Sequence, residues 1–119
     1  MTNIEKKKTL QNVRAMCNPS NVKKNGDRDE YFFSNIYREL GKALEETGFL
    51  DLKYFDHIDK RGKHPDDEVK EEVGKIPLEN CATDLTFFLR RERFNEGSFD
   101  EEVRSGTIYN LLSRMCSLL

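Results

Sequence analysis

Residues 77–115, PLENCATDLTFFLRRERFNEGSFDEEVRSGTIYNLLSRM, carry the most regular helical pattern in the chain. Apolar side chains recur there at three- and four-residue steps, which predicts two amphipathic helices that each bury one face. The first apolar stripe consists of Leu78, Cys81, Leu85, Phe88 and Leu89. The second stripe consists of Ile108, Leu111, Leu112 and Met115. We expect the rest of the chain to be organised around these two helices.

The segment between the two helices has its own start and stop signals. Gly97 can supply the positive φ of a left-handed helix end, and Ser98 with Glu101 has the form of a capping box. A short helix is therefore predicted to begin at Phe99 and to end before the break at Gly106.

Three further helices are predicted before residue 77. A weak apolar stripe over residues 4–17 predicts the first, and a stronger stripe that ends at Gly48 predicts the second. Asp51 can cap a third, short helix that ends at Gly62. Its inward side chains are expected to be Leu52, Phe55 and Ile58. The predicted fold class is all-α, with five or six helices in a single compact domain.

Two segments lack a clear pattern. Residues 18–28 are rich in turn-forming residues and lysine, which indicates a mobile loop. Residues 60–75 are dominated by charge, so a helical turn or two and a loop fit equally well. We therefore divide the chain into a basic N-terminal helix with a mobile loop, residues 1–28, and a helical core domain, residues 29–119.

Charge is unevenly distributed along the chain. Charged residues make up 35% of the 119 residues, yet the net charge is −2, whereas a dedicated nucleic-acid binder usually has a clear basic excess. Residues 1–28 carry seven basic and two acidic side chains, and residues 29–77 carry eight basic and thirteen acidic ones. Candidate polyanion contacts are the lysines of the basic segment: Lys6, Lys7, Lys8, Lys23 and Lys24. Aromatic side chains are not interleaved with them, so a solvated helix face and loop is the favoured interpretation.

The cysteines and the lack of long apolar runs predict where in the cell the protein is located. Cys17, Cys81 and Cys116 are an odd number without the spacing of a metal site or a disulfide framework. They are typical of reduced, buried thiols in an intracellular protein. No apolar run is long enough for a membrane span, and the first residues lack the hydrophobic region of a signal peptide. We therefore expect a cytoplasmic protein without a membrane partner.

Residues 56–68 contain the types of side chain that bind a divalent metal. These are Asp56, His57, Asp59, His64, Asp66, Asp67 and Glu68. His57 and His64 are seven positions apart, not the four that place two imidazole rings on one helix face. A solvated charged loop is the favoured interpretation, and we expect neither a metal nor another cofactor.

Polar residues near the end of the first predicted helix form the main candidate site. Glu92 continues the apolar stripe, and a carboxylate on a core face needs a hydrogen-bonding or charged partner. One interpretation is a receptor for an anionic ligand, since guanidinium groups bind phosphate and carboxylate well. The favoured interpretation is a structural network in which Glu92 accepts from arginines or from backbone N–H groups at a helix start. The candidate cluster consists of Arg90, Glu92, Arg93, Tyr109 and Arg114.

The same stretch carries a family resemblance. The pattern R-x-E-R-F-x-x-G over residues 90–97, followed by S-G-x-I over residues 105–108, resembles a family of small bacterial proteins known only as a domain of unknown function. The resemblance covers residues 31–115, and its specific part is E-R-F-x-x-G over residues 92–97 with the serine and glycine at positions 105 and 106. It implies no activity, cofactor or catalytic residue, because none is assigned to the family.

Three hypotheses for function follow. No nucleophile, acid–base pair or glycine-rich phosphate loop has the spacing of a known catalytic motif, so the sequence leaves enzyme activity undecided. The favoured hypothesis is a protein-binding module, one form of which is a phage or mobile-element inhibitor of a host protein. The alternatives are a small-ligand binder or enzyme that uses the Arg/Glu cluster, and a weak nucleic-acid contact through the N-terminal lysines. A homodimer is also compatible with the sequence.

Overall fold

The computed structural model describes residues 1–119 and contains eight α-helices and no strand. The helices are α1 (Asn3–Met16), α2 (Pro19–Asn25), α3 (Phe32–Thr47), α4 (Tyr54–Arg61), α5 (Pro65–Glu71), α6 (Leu78–Arg91), α7 (Ser98–Arg104) and α8 (Thr107–Leu118). A single 3₁₀ turn, Val73–Lys75, lies between α5 and α6. The prediction of an all-α single domain is confirmed, whereas the predicted number of five or six helices is wrong. None of the helices combines the length and the apolar character needed to cross a membrane.

Helix α8 lies at the centre of the packing. It packs against α1, α6 and α7, while α1 also packs against α3. All four residues of its apolar stripe, Ile108, Leu111, Leu112 and Met115, are fully shielded from solvent. The stripe of α6 is buried as well, except for Leu78, which is half-buried at the helix start. Burial of one such side chain contributes about 1.5–3 kcal/mol, so these two faces supply much of the free energy that stabilises the fold.

The structure has two helices that were not predicted, α2 and α5. Both are short, and both begin in the same way. Asn18 accepts a hydrogen bond from the N–H of Ser20 at 2.9 Å, and Pro19 occupies the first helical position. His64 accepts from the N–H of Asp66 at 3.1 Å and is also followed by proline. A polar cap followed by proline favours a helix start, because proline lacks the N–H that the first turn leaves unpaired. The expected loop over residues 18–28 therefore contains a helix.

The basic N-terminal segment contributes directly to the core. Leu10 and Val13 from α1, Cys17 just after it, and Val22 from α2 belong to the same buried cluster as the stripes of α3, α6 and α8. One hydrophobic core thus includes residues on both sides of position 28, where the chain changes from net basic to net acidic.

Helix α7 starts differently from the prediction. Ser98 is its first helical residue rather than its cap, and the buried Oγ has no hydrogen-bond partner. Gly97 precedes the helix with a φ of 89°, a conformation that glycine adopts without steric cost. The predicted capping box of Ser98 with Glu101 is therefore wrong. The N–H groups of Gly97 and Phe99 instead donate to a side chain outside the helix.

Candidate functional site

Glu92, from the predicted Arg/Glu cluster, is the residue that caps α7. Its carboxylate accepts the N–H of Gly97 at 2.7 Å and the N–H of Phe99 at 3.1 Å. A carboxylate in this position is also stabilised by the positive end of the helix dipole. No salt bridge joins Glu92 to an arginine. Of the two kinds of partner that the sequence allowed, the backbone N–H groups are the ones used.

The other four residues of the predicted cluster lie in three separate places. Arg114 donates from Nε to a backbone carbonyl oxygen just before α6, at 2.9 Å. The guanidinium of Arg14 lies over the ring of Tyr109, 5.9 Å from the ring centre. Arg90 and Arg93 line one surface depression between α3 and α6. Only these last two are brought together, and no side-chain hydrogen bond or salt bridge links any pair among the five.

The depression at Arg90 and Arg93 has a volume of about 320 Å³, and we call it the α3–α6 groove. Its base is apolar, with Leu50 and Leu89 among the lining residues. The charged residues that line it are Arg38, Lys42, Glu45, Arg90 and Arg93. Two of these basic residues come from α3 and were not selected from the sequence. The signal was available, because Arg38 and Lys42 are four positions apart and so share one helix face.

Arg91 is the arginine that forms the structural ion-pair network at this end of α6. Its guanidinium lies 3.1 Å from the carboxylate of Asp66 and 2.9 Å from that of Glu102. It also lies over the ring of Phe88, 5.2 Å from the ring centre. Paired and stacked in this way, it joins α6 to α5 and α7. The sequence does not show whether Arg90 or Arg91 forms these ion pairs, because that depends on which side of α6 faces α5.

The five candidate lysines are divided between two helices. Three of them, Lys6, Lys7 and Lys8, lie in the first half of α1, and the ammonium of Lys6 is 5.2 Å from the ring centre of Phe49. The other two, Lys23 and Lys24, are exposed in the last turn of α2. The two groups therefore lie on different helices, joined by the turn at residues 17–18. Their contact with nucleic acid stays a prediction.

Asp51 and His57 form a polar contact between the start of α4 and α6. Nδ1 of His57 lies 2.6 Å from Oδ2 of Asp51, and the hydroxyl of Thr83 donates to the same oxygen at 2.6 Å. Burial raises the pKa of Asp51, but hydrogen bonds from Thr83, His57 and the backbone N–H of Lys53 outweigh it and hold the pKa below its usual value. His64 caps α5 instead, so the two histidines belong to separate structural contacts.

An apolar patch surrounds the turn between α3 and α4. Phe49, Leu50 and Leu78 line a depression of about 330 Å³. Beside it in the chain, Leu52 and Phe55 are 80% and 61% exposed. We refer to these five residues as the apolar patch. The polar edge of the depression is formed by Asp51, His57, Glu79 and Thr83.

The exposure of Leu52 and Phe55 corrects the sequence-based expectation that both point inward. The helix begins at Tyr54, so Leu52 lies in the preceding turn. Tyr54 is the ring that faces α6, with its centre 6.5 Å from that of Phe87, and Phe55 packs on its outer side at 4.4 Å. Tyr54 and Ile58, four positions apart, form the half-buried face of α4, and Phe55 lies about 100° around the helix from Tyr54.

Arg61, Glu68 and Asp84 form a buried ionic group between α4, α5 and α6. The guanidinium of Arg61 donates to Asp84 and lies 3.2 Å from Glu68. Asp84 is fully shielded from solvent, and burial raises its pKa to about 7 although the hydrogen bond from Arg61 opposes the shift. A sequence signal existed, because Asp84 lies three residues after Cys81 and four before Phe88, on the buried stripe of α6.

The structure thus defines a small all-α domain with an apolar patch, a basic groove and a buried ionic group. A family model described as a family of unknown function, DUF6508, matches residues 4–119. The chain therefore belongs to DUF6508. This confirms the sequence-based expectation of a family without an assigned function. No curated protein and no solved structure matches the chain.

Proposed function

We propose that this protein binds another protein through the apolar patch. The observation that carries the proposal is the exposure of Leu52 and Phe55, at 80% and 61%, next to a depression with an apolar lining. Scattered apolar side chains are normal on a protein surface, but grouped ones mark interaction sites. A partner that covered these side chains would gain the free energy of removing them from water.

The polar edge of the depression supports a particular chemistry for the partner. Asp51 and Glu79 are acidic, and residues 29–77 as a whole carry a net charge of −5. Complementary charge across an interface speeds association and fixes the orientation of the partners. We therefore propose a partner segment that presents an apolar side chain flanked by lysine or arginine.

One form of this proposal is an inhibitor of a host protein, encoded by a phage or mobile element of bacteria. The length of 119 residues and the uneven charge support it, since such a protein acts by covering a surface rather than by chemistry. A cytoplasmic location is proposed with it, and the three buried cysteines, none of them in a disulfide, support that location.

The test uses the wild-type chain and the double variant Leu52→Ser, Phe55→Ser as baits in a bacterial lysate. Captured proteins are identified by mass spectrometry, and the affinity of the purified partner is then measured for both chains. The double variant should fold like the wild type, because both side chains are exposed. Its affinity for the partner is expected to fall by at least about tenfold.

Phe94→Ser is the matched control, because Phe94 is 82% exposed and does not belong to the apolar patch. It should retain the partner as the wild type does. Equal loss from the control and the double variant, or equal retention by both, would contradict the proposal. So would the absence of any stoichiometric partner.

A further inference from the structure

We propose that the α3–α6 groove binds a small ligand that carries a phosphate group. Four basic side chains line the groove: Arg38 and Lys42 from α3, Arg90 from α6, and Arg93 from the turn after α6. The only acidic lining residue is Glu45, so the groove carries a net charge of +3 within a chain of net charge −2. This site is separate from the protein-binding function proposed above.

The four basic groups do little to hold the fold together. Lys42, Arg90 and Arg93 form no salt bridge. Arg38 has one long contact, 3.6 Å from Nε to the carboxylate of its sequence neighbour Glu39, and most of the Arg38 side chain is exposed. Elsewhere in the chain guanidinium groups meet carboxylates, as at Arg61, Arg91 and Arg104. Positive groups that outnumber their acidic neighbours repel one another, and an anion bound among them reduces that repulsion.

The shape of the groove suits a small phosphorylated compound. A Cβ added to Gly41 would lie 3.6 Å from Leu89, so α3 and α6 approach closely beneath the basic side chains. Tyr37 also lines the groove and offers a phenolic O–H donor. Guanidinium groups bind phosphate oxygens through paired N–H donors. The volume of about 320 Å³ is at the lower end of the range for small-molecule sites.

The test titrates the purified full chain with sodium diphosphate at constant ionic strength and follows the backbone amides by NMR. Saturable shifts are expected for residues 37–45 and 89–93, on the two walls of the groove. Sodium acetate at matched charge is the control ligand and should give no saturable shift. Diphosphate shifts centred on α1 and α2 would overturn the proposal, as would the lack of any saturable shift.

Charge-removing variants make the test specific. Arg90→Gln with Arg93→Gln should weaken diphosphate binding by at least about tenfold, because each guanidinium supplies charge-assisted hydrogen bonds. Lys23→Gln with Lys24→Gln removes the same charge from α2 and should leave the affinity within about twofold of the wild type. Equal weakening in both double variants would show attraction to overall charge and would overturn the proposal.

Two further measurements cover the remaining outcomes. If the α6 variant does not fold, Arg38→Gln with Lys42→Gln removes the same charge from the α3 wall and should weaken binding to a similar degree. A single-stranded oligonucleotide provides a second source of phosphate. Binding of the oligonucleotide without binding of diphosphate would overturn the assignment to a small ligand.

Discussion

The carboxylate of Glu92, one residue beyond α6, accepts the backbone N–H of Gly97 at the start of α7, with 2.7 Å between the atoms. A second bond runs to the N–H of Phe99 at 3.1 Å. These are two of the N–H groups that every helix start leaves without an intrahelical partner. A single side chain therefore fixes the angle between two consecutive helices.

Removal of this carboxylate should destabilise the protein. Glu92→Ala is expected to lower the free energy of unfolding by about 1–2 kcal/mol, because two backbone donors lose a charged acceptor. Glu92→Gln should cost less, since an amide oxygen can still accept. Urea denaturation followed by circular dichroism measures both. Glu96→Ala, at an exposed acid four residues away, is the control and should change the free energy by no more than about 0.5 kcal/mol.

Gly97 and Gly74 should respond in opposite directions to alanine. Gly97 has a φ of 89°, so Gly97→Ala is expected to lower the free energy of unfolding by about 1–2 kcal/mol. Gly74 has no positive φ, and an added Cβ would meet no atom within 4 Å. Gly74→Ala should therefore leave stability unchanged or raise it by up to about 1 kcal/mol. Equal losses of stability in the two variants would show that backbone conformation is not the cause.

The buried ionic group should make stability depend on pH. The pKa of Asp84 is about 7 in the folded chain against 3.8 for an unperturbed group, so the folded state binds this proton more tightly. The free energy of unfolding should therefore fall as pH rises from about 4 to 7, with a slope on the order of 1 kcal/mol per pH unit. Urea denaturation at several pH values measures the slope.

The variant Asp84→Asn isolates the contribution of this carboxyl group, because all other titrating groups are shared with the wild type. Its stability should change less across the same pH window. A variant whose pH dependence matched that of the wild type would show that Asp84 is not the group responsible.

The cysteines should be unreactive in the folded protein. Cys17 and Cys81 are fully shielded from solvent, and burial raises the pKa of each thiol to about 12. The pKa of Cys116 is raised by burial as well. Since the thiolate is the reactive form, Ellman's reagent at pH 8 should modify none of the three until denaturant is added. A thiol that reacts within seconds in native buffer would contradict this burial.

Much of the fold is encoded in local patterns. The stripes of α3, α6 and α8 were predictable because three- and four-residue spacing reports a buried helix face directly. Helices α2 and α5 were harder to predict, since each is seven residues long and contains, besides its first proline, only one apolar residue, a valine. Short segments of this kind depend on the packing around them more than on their own pattern.

The sites were harder to predict from the sequence than the helices, because they depend on contacts between residues that are distant in the chain. The sequence predicted Glu92 on a buried helix face with a partner, but the helix ends at Arg91 and Glu92 is half-buried. Its partner is the backbone of α7. Arg61 and Asp84 are 23 residues apart, and no local pattern connects them. The grouping of Arg90 with Lys42 likewise depends on the angle at which α3 crosses α6.

The packing of α1 against α8 also limits when the chain can complete its folding during synthesis. Sγ of Cys116 lies 3.9 Å from the carbonyl oxygen of Lys7, so the two helices meet although almost the whole sequence separates them. During translation, the apolar side of α1 emerges soon before α3, which covers one part of it, but long before α8, which covers another. Long-range closure of this kind slows folding. A nascent chain that ended before Thr107 would lack every contact that α8 makes with α1.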